Sequence, residues 1–517
     1  MNFSNSIKYS GLSSFSPNSV YLAIAKNTSL IIYDNEELKV IQKFSFPNTI
    51  SNFLWSPDSS LILMAFYKSG LCEIRSISNP KWTCTINESQ SGIINCLWTP
   101  DSRKIILFND FNVRLSIWSL VDKSTVYINS PKFNDKCITF CEKGNFMALG
   151  ERQSGKDYIG IYFTGDFSLV SHFQVGTFDM CDLIWTKDAT NLIVIDTPLE
   201  VKFLVYSPTG NLIFSCEPYL YGLGIEIAKL SNNSHTLGMG FNDGIIRLYN
   251  CMSNSFKEII ELNHNINIIT NENLVTVFKE EEISSHGNDK NKRGLNINNN
   301  FNKNYTKYVE CSFPYKLNQN NKLKSLQGIG AISILEWSLD SKFIASKYDA
   351  FPNIVFIWET TTLKLHTVIV QLNNIKNMKW SPKENILLIV TENSKLYTFT
   401  LDNVYIIELV SDMNNPFNAI NLQWASDGKS FIVSDKKQML IGHPNILENN
   451  LNQDENVNDN INEQNEQEEE NENEHYINNI NNNENNFNNI ENNDNEEEFN
   501  NNINNEIYNE NEEQEQE

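Results

Sequence analysis

The chain has 517 residues and carries 64 Asp and Glu against 40 Lys and Arg, a formal net charge of −24. Between Glu448 and Glu517 stand 23 of those acidic residues and no Lys or Arg, which leaves a net −1 on everything before them. A main body without surplus cations argues against nucleic acid as its main partner, since phosphate contacts need clustered Lys and Arg. No apolar run approaches 18 residues, so no membrane insertion is expected and a cytosolic or nuclear home is.

In chain order, an apolar stretch ending in a bulky residue and followed by turn chemistry recurs nine times. It does so at Phe15, Trp55, Trp98, Phe140, Trp185, Leu230, Trp337, Trp380 and Trp424. Six of the nine tryptophans occupy this place, as in Trp55-Ser-Pro-Asp and Trp98-Thr-Pro-Asp. Most neighbours are about 43 residues apart, the period of a four-stranded propeller blade.

The third unit shows the pattern in full. Ile93–Trp98 is rich in β-formers, and Thr99-Pro100-Asp101-Ser102 is a turn in which Pro presets φ and Asp and Ser bond local backbone. Lys104–Phe108 is the next strand, Arg114–Trp118 alternates, and Thr125–Ile128 is the fourth. An aromatic closes other third strands at Tyr33, Tyr162, Tyr206, Tyr249 and Trp358. These rings are assigned to contacts between blades rather than to a ligand cage. No strand run is followed by a long amphipathic helix, so the fold class is all-β.

One large ring is the simpler arrangement of nine units, so one large WD40-like β-propeller of about nine four-stranded blades is expected. Eight blades with an irregular appendage near Leu230 is the alternative. The last unit has a third strand at Gln438–Ile441 but no fourth, and the segment around Ser4–Tyr9 is predicted to supply it and close the ring. Residues 1–445 then form the ring and 446–517 an acidic Asn/Glu-rich tail that is too poor in apolar residues to fold. The irregular stretch 263–327 doubles one spacing. In it, Leu274–Phe278 and Tyr308–Phe313 are expected as fourth- and first-strand material of adjoining blades around a disordered insertion, 280–305.

No reaction machinery is legible. Cys137 and Cys141 form a C-x3-C pair with no partner pair at zinc-finger spacing, and most of the nine cysteines lie in strand runs as small apolar residues. Gly222/Gly224, Gly238/Gly240 and Gly328/Gly330 lack the third glycine and helix of a phosphate cradle and are expected at tight strand contacts. Asp58, Asp101 and Asp188 occupy the turn slot. The sequence names no catalytic, cofactor-binding or metal residue and no partner-binding residue, and no cofactor or small-molecule ligand is expected.

More specific strings go beyond the repeat. Met1–Ser10, Tyr67–Leu71, Asn79-Pro-Lys-Trp82-Thr-Cys84, Arg114–Leu120, Lys156-Asp157-Tyr158, Ile329–Ile332, Phe351–Trp358 and Met378–Trp380 are similar to the centrosomal and spindle-pole family called WD-repeat protein eight. The likeness runs from residue 1 to about 440, broken by 263–327. Trp82 stands outside the blade register, which makes its string more specific than the blade tryptophans. The resemblance implies a non-enzymatic adaptor in the cytoplasm, at the centrosome or spindle pole. Such an adaptor pairs with a coiled-coil anchoring protein and tethers microtubule minus ends, with a minus-end-directed kinesin in fungi and ciliary assembly in animals. Two other classes compete: a translation-initiation-type large propeller bound to ribosome- or RNA-associated partners, and a propeller enzyme with a polar cluster in its channel.

Overall fold

The computed structural model describes residues 1–444 apart from 133–134, 217–222, 253–255, 271–274, 284–304, 318–329, 402 and 410–416. The expected tail therefore lies outside the described residues, as do 284–304 of the expected insertion.

Nine antiparallel blades form one ring. Their first strands are Ser13–Phe15, Asn52–Trp55, Asn95–Trp98, Ile138–Phe140, Asp182–Trp185, Ile225–Leu230, Ile332–Trp337, Asn377–Trp380 and Asn421–Trp424. Every unit marker found in the sequence is thus the last residue of a first strand. First strands of successive blades touch one another, for example in blades 4 and 5 and from blade 6 through blade 9, which places them around the axis.

The core lies between blades rather than within any one of them. In the second strand of blade 2, Leu61–Phe66, Ile62 and Met64 join a cluster with Ala23, Ile32 and Phe46 of blade 1, whereas Leu63 and Ala65 join one with Cys96 and Ile105 of blade 3. Period-2 alternation divides the side chains between two neighbours, so a strand with apolar residues on both faces reads as a continuous apolar run. Each first-strand tryptophan then points into the preceding blade. The indole N–H groups of Trp55, Trp98, Trp337, Trp380 and Trp424 donate to the carbonyls of Ser14, Leu54, Lys229, Glu336 and Lys379 at 3.0–3.3 Å. Each acceptor stands one residue before the preceding blade's own marker. The assignment of these rings to blade contacts holds, and the polar edge of the indole adds a fixed register between blades.

The turns after the markers interlock too. Ser56, Thr99, Thr186 and Ser338 donate to Asp58, Asp101, Asp188 and Asp340. The backbone N–H of Asp58 donates in turn to Ser102 of blade 3, that of Asn18 to Ser59 of blade 2, and that of Asp427 to Ser19 across the ring closure, each at 3.0 Å. Burial raises the Asp58 carboxyl, but hydrogen bonds from Ser56, Ser60 and Ser102 outweigh it and hold the group below its ordinary value. These aspartates build turns.

The third-strand aromatics have a common position. Tyr33, Tyr162, Tyr206, Tyr249 and Trp358 each stand where the outer strand bulges, leaving Ile41, Val170, Ile213, Ile259 and His366 as the extra residue. A bulge twists an outer strand and spoils it as a template for another chain.

Blade 9 closes as predicted: Asn2–Phe3 and Ile7–Lys8 pair with its third strand, Gln438–His443. One expectation is corrected. Thr276–Ile283 and Tyr305–Glu310 are not fourth and first strands of adjoining blades, places taken by Lys257–Asn263 and Ile332–Trp337. They form a hairpin that extends blade 7 outward to six strands, Thr276–Ile283 pairing in parallel with the fourth strand, Lys364–Val370. Glycines 238 and 240 sit at a tight contact as expected, a Cβ on Gly240 falling 2.7 Å from Ile332 of the next blade.

Candidate protein-docking face

Because successive strands run antiparallel, loops between second and third strands emerge on the same face of the ring as the connections from one blade to the next. Across blades 3 to 5 that face carries a buried charge hub, two clefts and exposed aromatic side chains.

Its hub is Asp157, from the Lys156-Asp157-Tyr158 string, which is fully buried. Asp157 accepts Lys132 Nζ at 3.0 and 3.1 Å, Thr177 Oγ1 at 3.0 Å, the Met180 N–H at 2.6 Å and Arg152 Nη1 at 3.3 Å. Lys132 and Arg152 both reach Asp179 as well, so two cations and two carboxylates neutralise one another. A buried charge is tolerated only when paired and hydrogen-bonded in this way. From blade 5, Asp196 accepts the backbone N–H groups of Phe178, Asp179 and Thr197, each at 2.8 Å. The connection 175–181 is therefore held from both sides, with the Phe178 side chain directed outward and 69% exposed.

Phe111, in the loop of blade 3, is 94% exposed. It and Asn112 have φ of 59° and 54°, a left-handed pair that costs on the order of 1–3 kcal/mol per residue. Phe111 stands between two clefts. One, of about 650 Å³, is lined by Tyr67, Ser91 and Arg114 among others. The other, of about 500 Å³, is lined by Lys132, Arg152 and Asp179.

Deeper in blade 3, Trp118 Nε1 donates to Glu88 Oε1 at 3.1 Å. The equivalent place in blade 7 belongs to His264: Glu88 N–H bonds the Gly70 carbonyl just as His264 N–H bonds that of Gly244. Trp358 Nε1 donates to His264 Nε2 at 3.1 Å and to Ser346 at 3.2 Å, while His264 Nδ1 donates to Gly244 O at 3.1 Å. Burial pushes the imidazole down to about 3, so it is neutral and structural at physiological pH. Nothing in the sequence marks this histidine, because 94 residues of chain separate it from Trp358.

In the axial channel, Glu336 of blade 7 is shared by Lys229 of blade 6 and Lys379 of blade 8, at 2.8 and 2.5 Å. The trio is satisfied within itself. None of the nine cysteines is in a disulfide, and burial pushes Cys251 up to about 12, the opposite of what a nucleophile needs. Among the described residues no group of three or more His, Cys, Asp or Glu is arranged to hold a metal.

A nine-bladed ring built on tryptophan-marked units, with its side-chain architecture on a loop face, is a WD-repeat β-propeller. The chain is 33% identical over 446 residues to the WD repeat-containing protein WRAP73 of Mus musculus, covering 84% of this chain and 94% of that protein. It is 20% identical over 428 residues to an uncharacterized WD repeat-containing protein of Schizosaccharomyces pombe, covering 78% of this chain and 82% of that one. No family model matches. The crystal structure of a eukaryotic initiation factor superposes with a TM-score of 0.51 at 11% identity, over 79% of this chain and 90% of that one, a likeness of fold alone. The chain belongs to the family of the WD repeat-containing protein WRAP73.

Proposed function

We propose that this chain is a non-enzymatic scaffold at the centrosome or spindle pole. There it pairs with a coiled-coil anchoring protein, with a minus-end-directed kinesin as a further partner, and tethers microtubule minus ends for spindle organisation. The observation that carries this reading is the alignment with WRAP73 over 94% of that protein's length, together with the strings that resemble a spindle-pole family. The physical arrangement supports it. A stiff ring whose polar groups are spent on one another presents loops to partners without offering a reacting group. The Asp157 hub explains one of the shared strings, since changing Asp157 would unpair Lys132 and loosen the connection beneath Phe178.

The test is to tag the endogenous protein, image dividing cells and identify what co-purifies. Foci at spindle poles with a coiled-coil protein in stoichiometric amount are expected. A diffuse or ribosome-bound signal with no such partner would overturn the reading. Co-sedimentation with purified microtubules then separates direct from indirect tubulin contact.

A further inference from the structure

We propose that the outer edge of blade 3 is a self-association surface, and that its occupant is the same edge of a second copy of this chain. This goes beyond the scaffold reading and does not depend on it.

The outer strand of a propeller blade is a row of unpaired N–H and C=O groups, and a chain that stays single must spoil each row. Blades 1, 4, 5, 6 and 7 do so with a bulge. The hairpin covers blade 7 as well. In blade 9 the outer strand is broken into Asn2–Phe3 and Ile7–Lys8. Blades 2, 3 and 8 keep a regular register, at Thr83–Asn87, Thr125–Asn129 and Val404–Glu408. The strand of blade 8 ends in the charged Glu408 and touches Tyr305–Glu310. Blade 2 exposes no large apolar side chain. Among the described residues, only blade 3 joins an uncharged, regular edge to exposed apolar groups. Tyr127 in the strand is 49% exposed, Val121 in the turn before it 65%, and Val113 in the loop at its far end 63%, next to Phe111.

The ladder fixes which backbone groups face out. Ser119 N–H donates to the Ser124 carbonyl at 3.0 Å, and Ser130 N–H to that of Val113 at 3.1 Å. Bonded and non-bonded pairs alternate between these two ends. The register sets Val126 opposite Ile117 and Ile128 opposite Leu115, which are the bonded places. Thr125, Tyr127 and Asn129 therefore turn their N–H and C=O outward.

That spacing is symmetric about Tyr127, and the symmetry chooses the occupant. A second copy related by a two-fold axis sets Tyr127 against Tyr127 and Thr125 against Asn129, each pair exchanging two hydrogen bonds. The antiparallel arrangement brings the turn bearing Val121 to the loop bearing Phe111 and Val113 on the other copy, so apolar meets apolar at both ends. The turn carries one acid and one base, Asp122 and Lys123, and so does the loop end, Asp110 and Arg114, so neither end imposes a net charge. The Arg114 guanidinium lies 4.3 Å over the Tyr127 ring and steadies it at the axis. A disordered peptide from an unrelated protein would have to be ordered on arrival, whereas a second copy brings its strand already formed. The chain uses the same mode internally, where Thr276–Ile283 adds to the outer strand of blade 7. Two-fold pairing consumes both edges and stops at the dimer.

Sedimentation equilibrium of the purified full chain tests this. A five-residue strand makes a small interface, so the mass is expected to rise from 59.5 kDa toward twice that value across the micromolar range. Tyr127→Glu and Tyr127→Lys each set like charges opposite one another on the axis and should weaken association about tenfold. Mixed in equal amounts, they should recover it. Val113→Asp lies outside the strand and should weaken association several-fold. Melting points report whether each variant is folded, and Val113→Asp decides the matter if a Tyr127 variant melts early. A wild type that stays at 59.5 kDa, a mass that climbs past the dimer, association untouched by the substitutions, or folded Tyr127 variants that do not recover on mixing would each overturn the proposal.

Discussion

His264 shows how a residue buried in this ring governs the behaviour of the whole. It is completely enclosed, keeps its proton on Nδ1 for Gly244 and uses Nε2 to accept from Trp358. In the unfolded chain a histidine protonates near pH 6.5. In the folded chain burial lowers that to about 3. Between those values the unfolded state binds more protons, so stability falls as pH drops from about 6.5 toward 3, by up to about 1.4 kcal/mol per unit. We expect His264→Phe to be less stable than wild type at pH 7 and to lose less stability than wild type between about pH 7 and 5. Urea denaturation at the two pH values checks this, and parallel losses in both proteins would contradict it. Glu88, holding the same place in blade 3 as a carboxylate, illustrates that the slot asks for a buried hydrogen-bond acceptor for a tryptophan N–H rather than for one residue type.

Among the elements, the hairpin Thr276–Ile283 and Tyr305–Glu310 departs most from the repeating plan. Its parallel pairing with Lys364–Val370 covers the edge of blade 7, and it also reaches blade 8. Glu280, 1% exposed, accepts Tyr397 Oη at 3.0 Å and the Leu372 N–H at 3.0 Å, with Lys395 Nζ at 3.6 Å. Tyr308 of the hairpin packs edge-on against Tyr397, centroids 6.2 Å apart. The hairpin is therefore a staple between two blades. Glu280→Ala would strand a buried hydroxyl and a buried N–H, and we expect a loss of about 2–4 kcal/mol in denaturant unfolding. An unchanged midpoint would show that the staple is dispensable. Both segments are legible as strands in the sequence, but their pairing is not. Leu274–Phe278 and Tyr308–Phe313 flank a gap in an otherwise regular spacing, and continuity of the repeat assigns them to the nearest blades. Only the parallel register with a distant strand, Thr276 opposite Thr367, places them on an outer edge.

At the scale of the molecule, the ring stands or falls on its closure. Phe3 meets Phe431 edge-on at 6.0 Å, and Tyr9 donates its hydroxyl to the Asp435 carbonyl at 2.7 Å, so the first residues complete the last blade. Removing residues 1–10 would bare the edge of Gln438–His443. We expect a melting point lower by several degrees and concentration-dependent association in light scattering. A variant that melts and scatters like the full chain would argue that closure lies elsewhere.

The architecture was readable from sequence because it is repetitive and local. A bulky residue ends a strand in all nine units, a Ser or Thr next to it and an Asp or Asn two further on follow in six of them, at Phe15, Trp55, Trp98, Trp185, Leu230 and Trp337, and similar local chemistry builds similar blades. Tertiary structure alone decided three things: that Glu88 and His264 serve the same slot, that an irregular insert becomes a staple, and that Lys132 and Arg152 converge on Asp157 and Asp179. Each joins residues from different blades. No periodicity within a unit records which of its loops will face the loops of the next, because that relation is set by the closing of the ring.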